Sequence, residues 1–471
     1  MTVAGGGADT PGAGVPAVGS APTPGRRIVI VATAMLSMFL VGLDTTIVNI
    51  GMPAIAHAFG TDTRGVAWVV DAYTIVLAGL LITGGALADR FGRKRVFLIG
   101  LAVFGIASLL CAFAPTAPLL VAARALQGVG ASMLNPVALA IIVSVVTDPA
   151  ERARAIGMWS SVFGLSMAAG PILGGVLVEH LGWESLFWIN VPVIVLALVL
   201  TAALVPESRA AAPRPLDLPG QALLIVAVGA AVAALIEGPE LGWGSPIPQL
   251  GFAITAAAAV AFVLLERRRA HPLIDLALFR QPAFTLAVLG AVAAFMATTV
   301  VLILNTYSLQ QGRGWTAVAT GAMVLPLALG IIVCAPIAGA LIGRRGPALP
   351  LGLGAASIVI GAGLLIPPLA EPPVAYVGGA YLLIGVGFGL VNAPITNTAV
   401  SGLPPERAGV ASAVTSTGRQ VGAAIGIALG SGIVATQDPA ALVEAVWPGW
   451  LLVALCGAFL LVVAASVRRT R

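Results

Sequence analysis

Lysine occurs once in these 471 residues, at Lys94, within the run GRKR. Without a second lysine there is no GxxxxGK[ST] phosphate loop and no lysine inside an apolar run to form a Schiff base. A Walker-type ATPase site of the chain's own is thereby excluded. Cysteine is scarce as well: Cys111, Cys334 and Cys456 all fall inside apolar runs, which argues against a disulfide framework or a zinc cluster. His57, His180 and His271 stand in separate loops with no ligand spacing between them, so no metal site is expected. Charge is scarcest of all. Charged residues make up 9% against 59% hydrophobic, and the mean hydropathy of +1.04 lies far outside the range of soluble domains.

What remains is an all-α polytopic membrane protein with no appreciable soluble domain. A helix needs about 20 mainly apolar residues to cross a bilayer. On that rule fourteen spans are expected, over 28–50, 66–88, 96–114, 119–143, 155–178, 186–205, 219–238, 248–266, 284–307, 317–342, 348–370, 374–400, 409–434 and 449–467. Residues 1–25, rich in Gly, Ala and Pro, read as a disordered tail, and the first span is too long for a signal-peptide core.

The net charge of +5 and pI near 9.6 do not point to nucleic acid, because the basic residues alternate with the spans. With the N-terminus in the cytoplasm, Arg64 and Arg313 lie outside, Arg124 and Arg419 lie within spans, and the other 20 of the 24 basic residues are cytoplasmic. That asymmetry places both termini in the cytoplasm.

Three stretches recur at nearly constant offset. GALADRFG (Gly85 to Gly92) returns as GALIGRRG (Gly339 to Gly346), PAERA (Pro149 to Ala153) as PPERA (Pro404 to Ala408), and GVGASMLN (Gly128 to Asn135) as GVGFGLVN (Gly385 to Asn392). Spans 1 to 6 therefore correspond to spans 9 to 14, with spans 7 and 8 inserted between two six-helix bundles. The organisation expected is a cytoplasmic tail (1–25), a first bundle (26–205), loops with two inserted helices (206–283), a second bundle (284–467) and a short tail (468–471). Paired bundles about a central cavity are a transporter architecture. The repeat is unequal in one respect: Asp44, Asp71 and Asp89 have no acidic counterparts in the second half.

An acid at a helix centre costs about 2.5 to 3.5 kcal/mol on insertion scales, yet Asp44 sits inside the first span, in LDTTIVNIGMP. At 1.5 Å per residue it lies roughly 9 Å below the outer surface, and Arg124 in span 4 roughly 7 Å below it. Asp71 in span 2 shares that depth. Asp44 and Arg124 are expected to face the bundle interior and to pair there. Burial opposes the charged acid while Arg favours it, so the pair is a candidate proton switch; the alternative is a clamp between spans 1 and 4. Asp71 is a further proton-coupling candidate, or simply reaches interfacial water. Arg419 in span 13 lacks an acidic partner and either lines the cavity or bonds to carbonyls and to Asn392 and Asn397.

These residues resemble the major facilitator superfamily, in particular its fourteen-helix branch of drug:proton antiporters, over nearly everything after residue 26. LDTTIVNIGMP is similar to that branch's first-helix motif, GGALADRFGRKR (Gly84 to Arg95) to the loop 2–3 motif, LLVAARALQGVGAS (Leu119 to Ser132) to the fourth-helix motif, and GLSMAAGPILGG (Gly164 to Gly175) to the antiporter motif of helix 5. Two departures stand out: Glu184 and Ser185 in WESLFWINVP replace a WRW-like triplet, and Gly343 replaces the second loop acid. The resemblance implies that Asp44 and Arg124 couple protons. It also implies that Gly85, Asp89, Arg90, Gly92 and Arg93 form a cytoplasmic latch, with Gly85 and Gly92 permitting a tight turn. In helix 5, Gly170, Gly174 and Gly175 permit close helix approach and Pro171 a bend.

The function expected is proton-coupled efflux of amphipathic small molecules such as antibiotics or drugs by alternating access, in a bacterial cytoplasmic membrane. The alternative is a lipid exporter or nutrient symporter on the same fold. No enzyme activity is expected, since there is no cluster of carboxylates, His or Lys beside a cavity. The proton gradient serves in place of a cofactor, and a monomer with no nucleic-acid partner is expected. Asn49, Asn135, Asn305, Tyr307, Asn392, Asn397 and Arg419 are the candidate cavity residues.

Overall fold

The computed structural model describes residues 23–146, 148–209, 217–269, 272, 274, 276–367, 372–401, 405–435, 442 and 446–469. The tail expected over 1–25 lies mostly outside the described residues, as do His271 and the last two residues of the tail 468–471.

Among the described residues each expected span falls mainly on helix, the sixth and tenth as two helices in succession. The first bundle comprises α1 (Pro24–Phe59), α2 (Thr63–Phe91), α3 (Arg93–Ala112), α4 (Ala117–Val145), α5 (Pro149–Leu181), and α6 (Ser185–Trp188) followed by α7 (Asn190–Leu204). The insert is α8 (Leu218–Leu241) and α9 (Pro246–Arg268). The second bundle comprises α10 (Pro282–Arg313), α11 (Ala317–Ala322) with α12 (Leu325–Arg345), α13 (Ala348–Leu365), α14 (Val374–Val400), α15 (Pro405–Ala435) and α16 (Trp447–Arg469). Among the described residues thirteen segments are long and apolar enough to cross a membrane, and α5 adds the shorter apolar run Ala169–Leu181. The protein is a multi-pass membrane protein.

Local chemistry sets the helix ends. Asp62, Asp148 and Asp217 accept hydrogen bonds from the Gly65, Glu151 and Gly220 amides at the starts of α2, α5 and α8. Gly60 and Gly314 close α1 and α10 in the left-handed conformation. Several boundaries differ from expectation, two of them with consequences. Helix α1 passes through Pro53 and continues to Phe59, so Asp44 lies deeper from its end than the span length implied. The tenth span breaks between α11 and α12, where Pro326 supplies no amide for a continuous ladder.

Helices α1 to α7 pack on one another, α10 to α16 do likewise, and α8 lies against both α2 and α15. The side that holds the start of α1, the end of α7 and the α2–α3 junction is called here the near side, and the opposite one the far side. On the far side two hydrogen bonds join the halves: Gln310 Nε2 donates to the Ile50 carbonyl (3.0 Å), and the Val318 amide to Glu179 Oε2 (3.2 Å). There Gly175 also lies against the Ala317 carbonyl, and Gly321 against that of Pro171. The insert is held to the first half by Arg64–Glu237 (2.9 Å), by Trp68 Nε1 donating to Glu237 (3.3 Å), and by the Thr83 hydroxyl donating to Gln221. It meets α15 with Pro239 against Gly432.

Candidate functional site

Asp44 and Arg124 meet in the interior of the first half, both fully buried, with Arg124 Nη1 donating to Asp44 Oδ2 at 2.6 Å. The carboxylate has further donors in Gln127 Nε2 (2.9 Å) and Asn190 Nδ2 (3.0 Å), both to Oδ1. Arg124 also donates through Nη1 to Gln127 Oε1 (2.6 Å) and through Nε to the Val69 carbonyl (3.1 Å), and its guanidinium lies 4.3 Å from the Tyr73 ring centroid. Ser108 accepts from Gln127 and Asn190. One carboxylate thus gathers groups from α1, α2, α3, α4 and α7, and no water is needed to satisfy it. A buried ion pair is tolerable only with geometry of this quality, because each ion loses its hydration.

Gln127, Asn190, Ser108 and Tyr73 were not among the sequence candidates. Gln127 follows Arg124 by three residues, one helical turn, which is the signal that could have found it. Asn190 stands in the quoted WINVP run.

Asp71 does not reach water. It is fully buried, and neither carboxyl oxygen has a hydrogen-bond partner. The alternative of interfacial hydration fails, and α8 packs on α2. Asp71 stands within a turn of Trp68, which bonds Glu237, and of Ile75, which lies beside Gly229.

A cavity between the halves is lined by Val41, Thr45, Thr46 and Asn49 of α1, Asn135 of α4, Phe295, Thr298, Thr299 and Leu302 of α10, and Gln420, Ala423 and Ile427 of α15. Asn49 and Asn135 line it. Asn305 and Tyr307 do not: Asn305 is buried and donates to the Thr320 carbonyl, tying α10 to α11, and Tyr307 is buried on the closed far side. Sequence alone does not say which face of α10 turns inward. Asn392 and Asn397 are half-buried on α14, in the same stretch as Thr396. Arg419 donates to the Thr396 hydroxyl rather than to either amide, and lies 5.7 Å from the centroid of Phe295.

The near-side motif is built differently from a simple turn. Gly85 lies inside α2, not at a turn, and only Gly92, at φ 111°, forms the α2–α3 junction. Asp89 and Arg93 pair at 3.2 Å, and Arg93 also donates to the Ala140 carbonyl of α4. Arg90 is exposed and lies over Phe91. Glu207, absent from the sequence candidates, caps the start of α3 by accepting from the Lys94 amide (3.1 Å), with Arg95 3.8 Å away. Glu207→Ala is expected to lower stability by about 1 kcal/mol, the usual loss of a cap, read as a lower unfolding midpoint of the purified protein.

In α5, Gly170 and Gly174 lie against α1. A Cβ at Gly174 would stand 3.0 Å from the Ile47 carbonyl oxygen and overlap Ile50. Pro171 presents its carbonyl to Gly321 of α11.

Comparison with known proteins bears on most of the chain. The family model of the Major Facilitator Superfamily matches residues 34–427. The chain is 38% identical over 423 residues to the multidrug resistance protein Stp of Mycobacterium tuberculosis, spanning 88% of this chain and 77% of that protein. It is 35% identical over 444 residues to the methylenomycin A resistance protein of Streptomyces coelicolor, spanning 93% and 91%. Over 406 residues it is 33% identical to the multidrug efflux pump LfrA of Mycolicibacterium smegmatis, spanning 86% and 80%.

Proposed function

Because this chain belongs to the Major Facilitator Superfamily, we propose that it is a proton-coupled exporter of amphipathic small molecules, working by alternating access in a bacterial plasma membrane. The observation that carries this reading is the two-faced character of α1. Thr45 and Asn49 face the cavity between the halves, while Asp44, one residue from Thr45, turns the other way into the Arg124 network. A shift of α1 that follows substrate binding therefore changes the donors around Asp44, and protonation of Asp44 releases Arg124 and frees α1. The near side is cytoplasmic by the distribution of Arg and Lys, and the contacts on the far side support an inward-facing form.

Asp71 is the second proton site. Ionised, it would be an uncompensated buried charge; carrying a proton, it is neutral among its apolar neighbours. The Asp89–Arg93 pair and the Glu207 cap hold the near-side ends of α2 and α3 together as the latch.

Everted membrane vesicles test the reading. Acidifying the lumen drives accumulation of a dye or antibiotic substrate, and a protonophore abolishes it; accumulation indifferent to the protonophore rules out proton coupling. Asp71→Asn keeps the neutral shape, so the membrane level is retained. Uphill transport falls about tenfold, equivalent to about 1.4 kcal/mol, while downhill exchange persists. Unchanged uphill transport in this variant removes Asp71 from the mechanism.

A further inference from the structure

Arg419, half-buried on α15, differs from the fully buried Arg124 in lacking a counter-charge. Among the described residues no carboxylate stands within ion-pair distance of it, and its Nε is buried without a hydrogen-bond partner. Its contacts are the Thr396 hydroxyl and the face of Phe295. Phe295 and the adjacent Gln420 both line the cavity. The cavity walls carry hydroxyls and amides, among them Thr45, Asn49, Asn135 and Thr299, and among the described residues no acidic side chain. Asp44, the acid nearest in sequence to that lining, is turned away and already held by Arg124.

We propose that the cavity selects amphipathic substrates bearing an ionised acidic group, a carboxylate or an acidic phenol, bound with that group toward Arg419. The inference rests on the export reading above and specifies its substrate class. Guanidinium stays charged under all accessible conditions, so it offers a permanent fork of donors to an anion. An anionic substrate supplies the counter-charge that the protein withholds, and Phe295 offers a flat apolar surface to its ring system. On the opposite wall, Asn49 and Asn135 each keep an amide oxygen without a partner, placed to receive donors at the substrate's other end. A cationic substrate finds no acid in the cavity and meets a like charge.

Two dyes on one xanthene scaffold separate charge from shape: fluorescein, an anion at pH 7.4, and rhodamine 123, a cation. Equilibrium fluorescence anisotropy with the full chain in nanodiscs reads both affinities without a proton gradient. The wild type is expected to bind fluorescein at least about tenfold more tightly than rhodamine 123. Arg419→Gln removes that preference by weakening fluorescein, and Arg419→Lys, which keeps the charge, retains most of it. The proposal is overturned if the wild type fails to bind fluorescein, if it binds rhodamine 123 as well or better, or if Arg419→Gln weakens both dyes alike. Because no gradient is involved, failure here leaves the vesicle result standing, and failure of uphill transport with the dye preference intact overturns the export reading alone.

Discussion

Asp44→Asn abolishes uphill transport, with a loss of about 100-fold or more, within the range for removing an essential acid–base group. The amide still accepts from Gln127 and Asn190, but it gives Arg124 no negative charge and does not cycle a proton. Breaking a fully buried ion pair costs about 3 to 5 kcal/mol, so the unfolding midpoint drops as well. Two measurements separate the switch from a mere clamp. With a switch, protein that reaches the membrane still equilibrates substrate downhill, and that movement no longer responds to pH. With a clamp, downhill and uphill transport fall together, and Asp44→Glu restores both according to how well the longer chain reaches Arg124. Normal pH dependence of uphill transport in Asp44→Asn would end the proton role for this residue.

Gly174→Ile is expected to be the most damaging change outside the charged network. Helix α5 approaches α1 so closely that even a methyl group at 174 overlaps Ile50 and presses on the Ile47 carbonyl. Overpacking usually costs about 1 to 3 kcal/mol, and backbone cannot move aside as a side-chain tip does, so the branched substitution exceeds that range. Displacing α1 shifts Asp44 on one face and Thr45 on the other. Gly174→Ala is expected to fold with a lowered midpoint and impaired transport, whereas Gly174→Ile gives no monodisperse protein after detergent extraction. A fully active Gly174→Ile protein would show that the seam is not as tight as described.

The fourteen crossings were legible in the sequence because lipid imposes one simple demand, a run of apolar residues long enough to close every backbone hydrogen bond within itself. Helix interruptions were not, since Pro326 breaks the tenth span while Pro53, Pro136 and Pro394 are carried inside helices. The Asp44–Arg124 contact was legible for a related reason: charges in a membrane are costly, so two at one depth seek each other. Gln127, Asn190 and Ser108 escaped notice because neutral polar groups in a span are cheap and common. For Asp71 the sequence left proton coupling and interfacial hydration both open, because depth alone does not reveal that α8 packs on α2. Asn305 and Tyr307 were placed in the cavity for want of the helix rotation, which only packing fixes.

The insert gives the proposed rocking motion an unequal division of mass. Its polar bonds through Glu237 and Gln221 belong to the first half, and it meets α15 where Pro239 lies against Gly432. On the proposed mechanism the insert travels with the first half, and since the broader body meets more drag in a viscous bilayer, that half turns less than the half bearing Arg419.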